Sequence, residues 1–180
     1  MKYIIIAFLS TISFTIMAQS ETTMTKTADT QEKIQWMSWD EAYAANKITP
    51  KKIFVDIYTD WCGWCKKMDA TTFQDQNIIK EINDSFYPVK FDAEMKDDIT
   101  FNDAVFKHVN QGRNGTHQLA FALLDGRMGF PAFVMLDESF SRVMLVPGYK
   151  TAEQLITQLK YTSTDAYKTQ NFDAFSKADD

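Results

Sequence analysis

At 180 residues, with 45% hydrophobic and 14% aromatic side chains, the chain has the size of one ordinary domain with modest extensions and is too apolar to be disordered throughout. A formal net charge of −5 and the absence of any basic run that could track a phosphate backbone argue against a nucleic-acid partner.

Lys2, the apolar run Tyr3 to Ile16 and then Met17-Ala18 have the plan of a secretory signal. The run is shorter than the roughly 20 residues that a membrane helix needs, and polar residues follow at once. Cleavage after Ala18 is therefore expected, with an uncleaved anchor as the alternative and no membrane embedding once the leader is removed. Residues 19–33, rich in Thr, Ser, Lys and Asp, read as a flexible spacer.

The folded part is expected from residue 34 to residue 161. Ser38-Trp39-Asp40-Glu41 has the capping-box spacing and predicts a short helix to about Asn46, ended before Pro50. Lys52 to Tyr58 is apolar on both sides of the pleat apart from Asp56, as suits an inner strand covered on both faces. Cys62 to about Thr72 predicts a helix that continues, after a kink, through Asp75 to Ile82. A strand at Tyr87 to Asp92 then completes a βαβ unit with a right-handed crossover.

From Lys96 to Gly115 the sequence reads as an insertion containing one helix, about Ile99 to Val109, and a turn-rich tip at 110–115. Thr116 is expected to cap a further helix, His117 to Leu124, with His117 on the surface and Gly126 as its stop. Ala132 to Leu136 and Arg142 to Val146 predict an antiparallel hairpin, and Ala152 to Tyr161 a last helix with Leu155, Ile156 and Leu159 on one face. Residues 162–180 form a polar C-terminal tail that could be loose or docked through Tyr167, Phe172 and Phe175. No internal repeat is visible.

Both cysteines sit in "TDWCGWCKK", Thr59 to Lys67, at the junction between a strand and a helix. Three readings compete. A disulfide staple closing so small a loop constrains the unfolded chain little. Half a zinc site lacks its other half, since the only histidines, His108 and His117, are distant in sequence. A redox couple fits the position, because the opening turn of a helix presents unpaired N–H groups and the positive end of the helix dipole to the first sulfur. There a thiol pKa can fall from about 8.5 to between about 3.5 and 7.5. Cys62 is then the attacking thiolate. Cys65, nearly one turn on and expected to be more covered, resolves the mixed disulfide.

The segment "VDIYTDWCGWCKKM" resembles the active-site segment of the thioredoxin superfamily, in which a strand carrying a buried Asp leads into Trp-Cys-Gly-x-Cys-Lys. In "GRMGFPAFVMLD", Gly129-Phe130-Pro131 falls where that family keeps its cis-proline loop, and the hairpin and last helix follow in the family's order. The likeness covers about residues 34 to 161. The "HQLAFALLDG" helix and the long segment before Pro131 are more similar to exported thioredoxin-like, thiol:disulfide interchange proteins related to the soluble domains of membrane electron relays.

The resemblance implies an α/β thioredoxin fold, a central mixed β-sheet flanked by helices, with a helical insertion before the cis-Pro loop. It implies thiol:disulfide exchange on protein partners through Cys62 and Cys65, with the reductase direction favoured, and oxidase or isomerase as the alternative. A non-catalytic binding module on the same fold is the alternative of another class. Asp56 would be the buried carboxylate that takes the Cys65 proton through water, or else a hydrogen-bonded strand residue; Lys90 would pair with it, or else extend its head to solvent. Trp61, Gly63, Trp64, Phe130 and Pro131 would form the substrate surface, with the Phe130 backbone free to pair with an extended strand, although core packing is the commoner fate of a tryptophan. Trp64 stands where the family usually has Pro, and Phe130 is a bulky residue before the proline. No organic cofactor and no metal is expected, since the dithiol stores two electrons, and an unidentified upstream redox partner must recharge it.

Overall fold

A computed structural model of the protein describes residues 32–110, 112 and 114–178. The expected leader lies outside them, as does the spacer apart from its last two residues. The elements in chain order are α1 (Trp39–Ile48), β1 (Lys52–Tyr58), α2 (Gly63–Ala70), α3 (Gln76–Ser85), β2 (Phe86–Asp92), β3 (Ile99–Phe101), β4 (Ala104–Phe106), β5 (His108–Val109), β6 (Thr116–His117), α4 (Gln118–Leu123), β7 (Ala132–Leu136), β8 (Arg142–Pro147), α5 (Ala152–Ser163) and α6 (Phe172–Ala178).

The central sheet has the order β2-β1-β7-β8. β1 and β2 are parallel, β1 and β7 antiparallel, and β7 and β8 form the hairpin. Side chains alternate across β1 and so divide between two cores. Ile53, Val55 and Ile57 meet Trp39, Ala42, Leu119, Ala120 and Leu124 on one face. Phe54 meets Met68, Phe73, Ile79, Ile82, Leu155 and Leu159 on the other, stacked on Phe133 of β7 at 5.7 Å. Helices thus cover both faces, which is why the strand is apolar throughout. Asp56 falls on the Phe54 side, beneath α2.

The capping box of α1 is present, and Asp75, whose Oδ1 accepts from the N–H groups of Asn77 and Ile78, starts α3 after a one-turn 3-10 segment at Thr72–Gln74. That break is the expected kink.

The insertion departs from expectation. No helix spans 99–109; β3 and β4 form a tight hairpin and β5 and β6 a second ribbon. Asn102 and Asp103 both have positive φ, 49° and 61°. This is the two-residue turn that suits the right-handed twist of a hairpin, and Ile99, Thr100, Phe101, Val105 and Phe106 are strand formers on its two arms. Helix is confined to α4. Its cap is His117, not Thr116, and His117 is fully buried rather than on the surface. Burial lowers the His117 pKa. Its Nδ1 accepts from the Leu119 N–H, which leaves Nε2–H to face the Asp97 carbonyl at 3.2 Å.

Gly115 closes the second ribbon at φ +79°. A Cβ there would stand 2.2 Å from His108 Cε1 and 2.7 Å from the Val109 carbonyl oxygen. Gly115→Ala is expected to cost about 2 kcal/mol from the positive φ and the backbone clash together. Denaturant unfolding measures the loss, and amide exchange should localise it to β5 and β6; unchanged stability would contradict this geometry.

After α5, Tyr161 packs against Tyr167, Phe172 and Phe175, so the polar C-terminal segment carries a helix set on an aromatic cluster. At the start of β1 the nearly buried Lys52 ammonium meets Glu138 at 2.7 Å and Asp165 at 2.9 Å.

Candidate functional site

The carboxyl end of β1 delivers Cys62 to the first turn of α2, where it is the N-cap. Its Sγ accepts the Cys65 N–H at 3.0 Å, and its carbonyl accepts from Lys66 N–H. The two sulfurs are joined in a disulfide, with the Cα atoms 5.3 Å apart. The cysteines are 4% and 3% exposed, so in this oxidised state both are buried and coverage does not separate them. What ranks them is position. Cys62 precedes the helix and faces its free N–H groups, whereas Cys65 lies inside it.

Asp56 and Lys90 are directly opposite in the parallel register of β1 and β2. Lys90 Nζ donates to Asp56 Oδ2 at 2.6 Å and also to Asp69 Oδ1 on α2. The rings of Trp36, Tyr58 and Phe73 surround the ammonium at 5.0–5.3 Å. Asp56 is 1% exposed, and its Oδ1 has no hydrogen-bond partner among the described residues. Burial pushes its carboxyl up to about 6, and the Lys90 charge only partly opposes this. Burial alone would lower the Lys90 pKa, but Asp56 and Asp69 together raise it. Asp69 is thus a second counter-charge to Lys90 beside Asp56. Sequence reading missed Asp69, although it stands four residues after Cys65, on the same face of one helix.

Ala132 pairs with Ile57, so Pro131 and Phe130 lie alongside the chain that runs into the cysteines. The Phe130–Pro131 peptide is cis. Trp61 and Trp64, 60% and 56% exposed, flank the disulfide. Trp61 meets Phe130 edge-on at 5.9 Å and donates its indole N–H to Glu94 Oε1 at 2.8 Å. Trp64 leans on Tyr149 at 5.4 Å, and Lys67 Nζ sits over both rings. A Cβ on Gly63 would touch nothing within 4 Å, so no packing inside the fold demands glycine there. Glu94 and Tyr149 had no local signal in the sequence; the fold alone brings them to the tryptophans. Among the described residues, no three His, Cys, Asp or Glu side chains are grouped as a metal site.

Such an arrangement can hold a sulfur pair, bias one sulfur toward thiolate and place a proton acceptor beneath. The family model described as Thioredox_DsbH, a protein of unknown function (DUF255), matches residues 16–154. The chain belongs to this family. Its DsbH-like fold is shared with solved structures: a DsbH oxidoreductase superposes with a TM-score of 0.54 at 21% identity over 84% of this chain and 96% of that one. A thioredoxin-fold protein from Helicobacter pylori superposes with a TM-score of 0.55 at 11% identity, covering 79% of this chain and 83% of that one.

The thiol:disulfide interchange protein DsbD of Actinobacillus pleuropneumoniae is 27% identical over 111 residues, 61% of this chain and 16% of that protein. Uncharacterized protein B0495.5 of Caenorhabditis elegans is 29% identical over 93 residues, 51% of this chain and 13% of that protein. The chain thus spans about one-sixth or less of the length of these curated relatives. It is a thioredoxin-fold chain of the Thioredox_DsbH family with a bonded cysteine pair at the helix start.

Proposed function

We propose that the protein is an exported thiol:disulfide oxidoreductase that reduces disulfides in protein substrates. The observation that carries this reading is the Cys62–Cys65 pair at the α2 N-terminus, on the helix whose Asp69 shares Lys90 with the buried Asp56, a carboxyl that burial pushes up to about 6.

In the reduced protein the Cys62 thiolate attacks one sulfur of a substrate disulfide. The substrate S–S bond breaks, a mixed disulfide forms, and the first substrate sulfur leaves as a thiolate that takes a proton from water. Cys65 then gives its proton to Asp56 and attacks Cys62 Sγ. The ring closes and the second substrate sulfur leaves as a thiolate and is protonated in turn. Two electrons pass from the dithiol to the substrate. A thiol or dithiol partner restores the reduced form, and no organic cofactor is required. Trp61, Trp64, Gly63, Phe130 and Pro131 form the surface on which the substrate rests.

Residues 1–18 are the export leader in this reading and 19–33 the tether to the domain. No helix among the described residues is long and apolar enough to cross a membrane. N-terminal sequencing of the secreted or periplasmic form tests cleavage after Ala18.

Equilibration with glutathione or dithiothreitol buffers tests the direction. A potential near about −270 mV supports reduction, and one near about −120 mV assigns the protein to oxidation instead. Cys62 alkylation followed against pH should place its pKa below about 8.5; alkylation no faster than that of a free cysteine, with thiols that dithiol buffers cannot cycle, overturns the whole reading.

A further inference from the structure

The insertion contributes little to the core: between residues 99 and 109 only Ile99 is buried. It instead builds a groove. A hollow of about 620 Å³ lined by Trp61, Glu94, Asn114, Thr116, Met128 and Phe130 starts beside the disulfide motif. Through Gly112, Thr116 and Met128 it runs into a second hollow of about 690 Å³, floored by Val105, Phe106 and Phe121. Val105 and Phe121 are 52% and 53% exposed there, and apolar surface left open in this way marks an interaction site.

One joint ties the groove to the sulfurs. Asn114 Nδ2 donates to Glu94 Oε1 and Oε2 at 3.1 and 3.2 Å, and Glu94 Oε1 accepts the Trp61 indole N–H. The Asn114 carbonyl is held in turn by Lys96 Nζ at 3.2 Å. Trp61 and Phe130 belong to both the disulfide surface and the groove, so one wall serves both.

We propose that Asn114, acting through Glu94, is a positioning residue for Trp61, and that the groove holds an extended apolar segment of the protein substrate next to its reacting disulfide. This rests on the thiol-exchange reading above. The groove shares Trp61 and Phe130 with the disulfide surface, so a chain lying in it is joined to the disulfide being attacked, whereas a small disulfide reaches Cys62 without entering it. Val105, Phe106 and Phe121 make the floor, so the groove asks for apolar side chains. Alternating side chains of an extended chain suit a long, shallow apolar trough.

The test uses the full chain, reduced, with insulin as the protein disulfide and hydroxyethyl disulfide as the small one. Asn114→Ala should lower the ratio of kcat/KM for insulin to that for the small disulfide about fivefold, the equivalent of one hydrogen bond of ordinary strength. The change should lie in KM, with an unchanged reduction potential and a displaced indole N–H resonance for Trp61. Phe121→Ser, an exposed change that leaves the joint intact, should lower the same ratio and covers the case in which the Asn114 variant fails to fold. An unchanged ratio in both variants overturns the groove, as does an equal loss on both disulfides or a concentration-dependent dimer that buries Phe121. Wild-type protein inactive on both disulfides defeats the thiol-exchange reading itself.

Discussion

Cys65→Ser protein, reduced and mixed with a disulfide substrate, is expected to accumulate a covalent adduct that resists dilution and gel electrophoresis and dissolves in dithiothreitol. Cys62→Ser protein should form none and should lose all turnover. The asymmetry follows from the helix. Cys62 is the N-cap and accepts an amide N–H at 3.0 Å, so negative charge on its sulfur is stabilised by the helix's first-turn N–H groups. Cys65 lies within the first turn and has no such donors, but its Cα is 5.3 Å from that of Cys62, within the span a disulfide bridges. With Cys65 gone the first attack proceeds and the second cannot. Mass spectrometry of the trapped species reports which sulfur was bonded. Adducts formed equally by both single variants would mean that the helix terminus does not discriminate between the thiols, and turnover equal to wild type in Cys62→Ser would remove exchange chemistry from the protein altogether.

Asp56→Asn in the oxidised state is expected to be more stable than wild type by about 2 to 3 kcal/mol at pH 7.5, while resolving mixed disulfides about a hundredfold more slowly. The folded-state pKa of about 6 exceeds the ordinary carboxyl value near 3.8, so the folded protein holds a proton that the unfolded chain has released between those values. Stability from this group is complete below about 4 and is lost as pH rises through about 6. Above that, a charge is carried where Asp56 is 1% exposed. Asparagine keeps the shape and never ionises. Its advantage should therefore vanish at pH 4 and be full above pH 7, as paired denaturation curves would record. Lys90 retains Asp69 as counter-charge, so the substitution does not strand a cation. A variant that is less stable at pH 7.5, or that resolves as fast as wild type, would show that the carboxylate is a strand-pairing group only.

The parts of the fold legible in the sequence were those governed by neighbours in the chain. An unbroken apolar strand interrupted by one Asp, a capping box at Ser38, and a hairpin turn after Leu136 each follow from local periodicity and turn chemistry. β1 shows why the aspartate stands out: every neighbour on its face is packed in a core, so a carboxyl there needs a partner or a task. Lys90 was harder to read, because an ammonium on a strand can reach solvent or cross to its neighbour, and only the parallel register brings it to Asp56.

The insertion reads as helix because Phe101, Val105 and Val109, spaced by four, can be laid on a helical face as readily as on strands. The Asn102-Asp103 pair was the signal that should have decided it. His117 read as surface because a polar residue at a helix start usually is; its burial depends on Phe91, which meets its ring edge-on at 5.5 Å from β2. Glu94 and Asn114 are twenty residues apart, and no spacing rule foretells a contact made by the return of a ribbon.

At the opposite pole of β1 from the sulfurs, Lys52 holds the turn after β7 and the residue that opens the final segment of chain. Residues 164–178, whose polar sequence suits a loose tail as well as a docked one, act as a cork: they supply half the counter-charge of a cation that is nearly out of water, and three of the rings that cover Tyr161. A fusion junction or a trimmed terminus in that stretch would leave the cation half-matched, so a handle for purification belongs elsewhere.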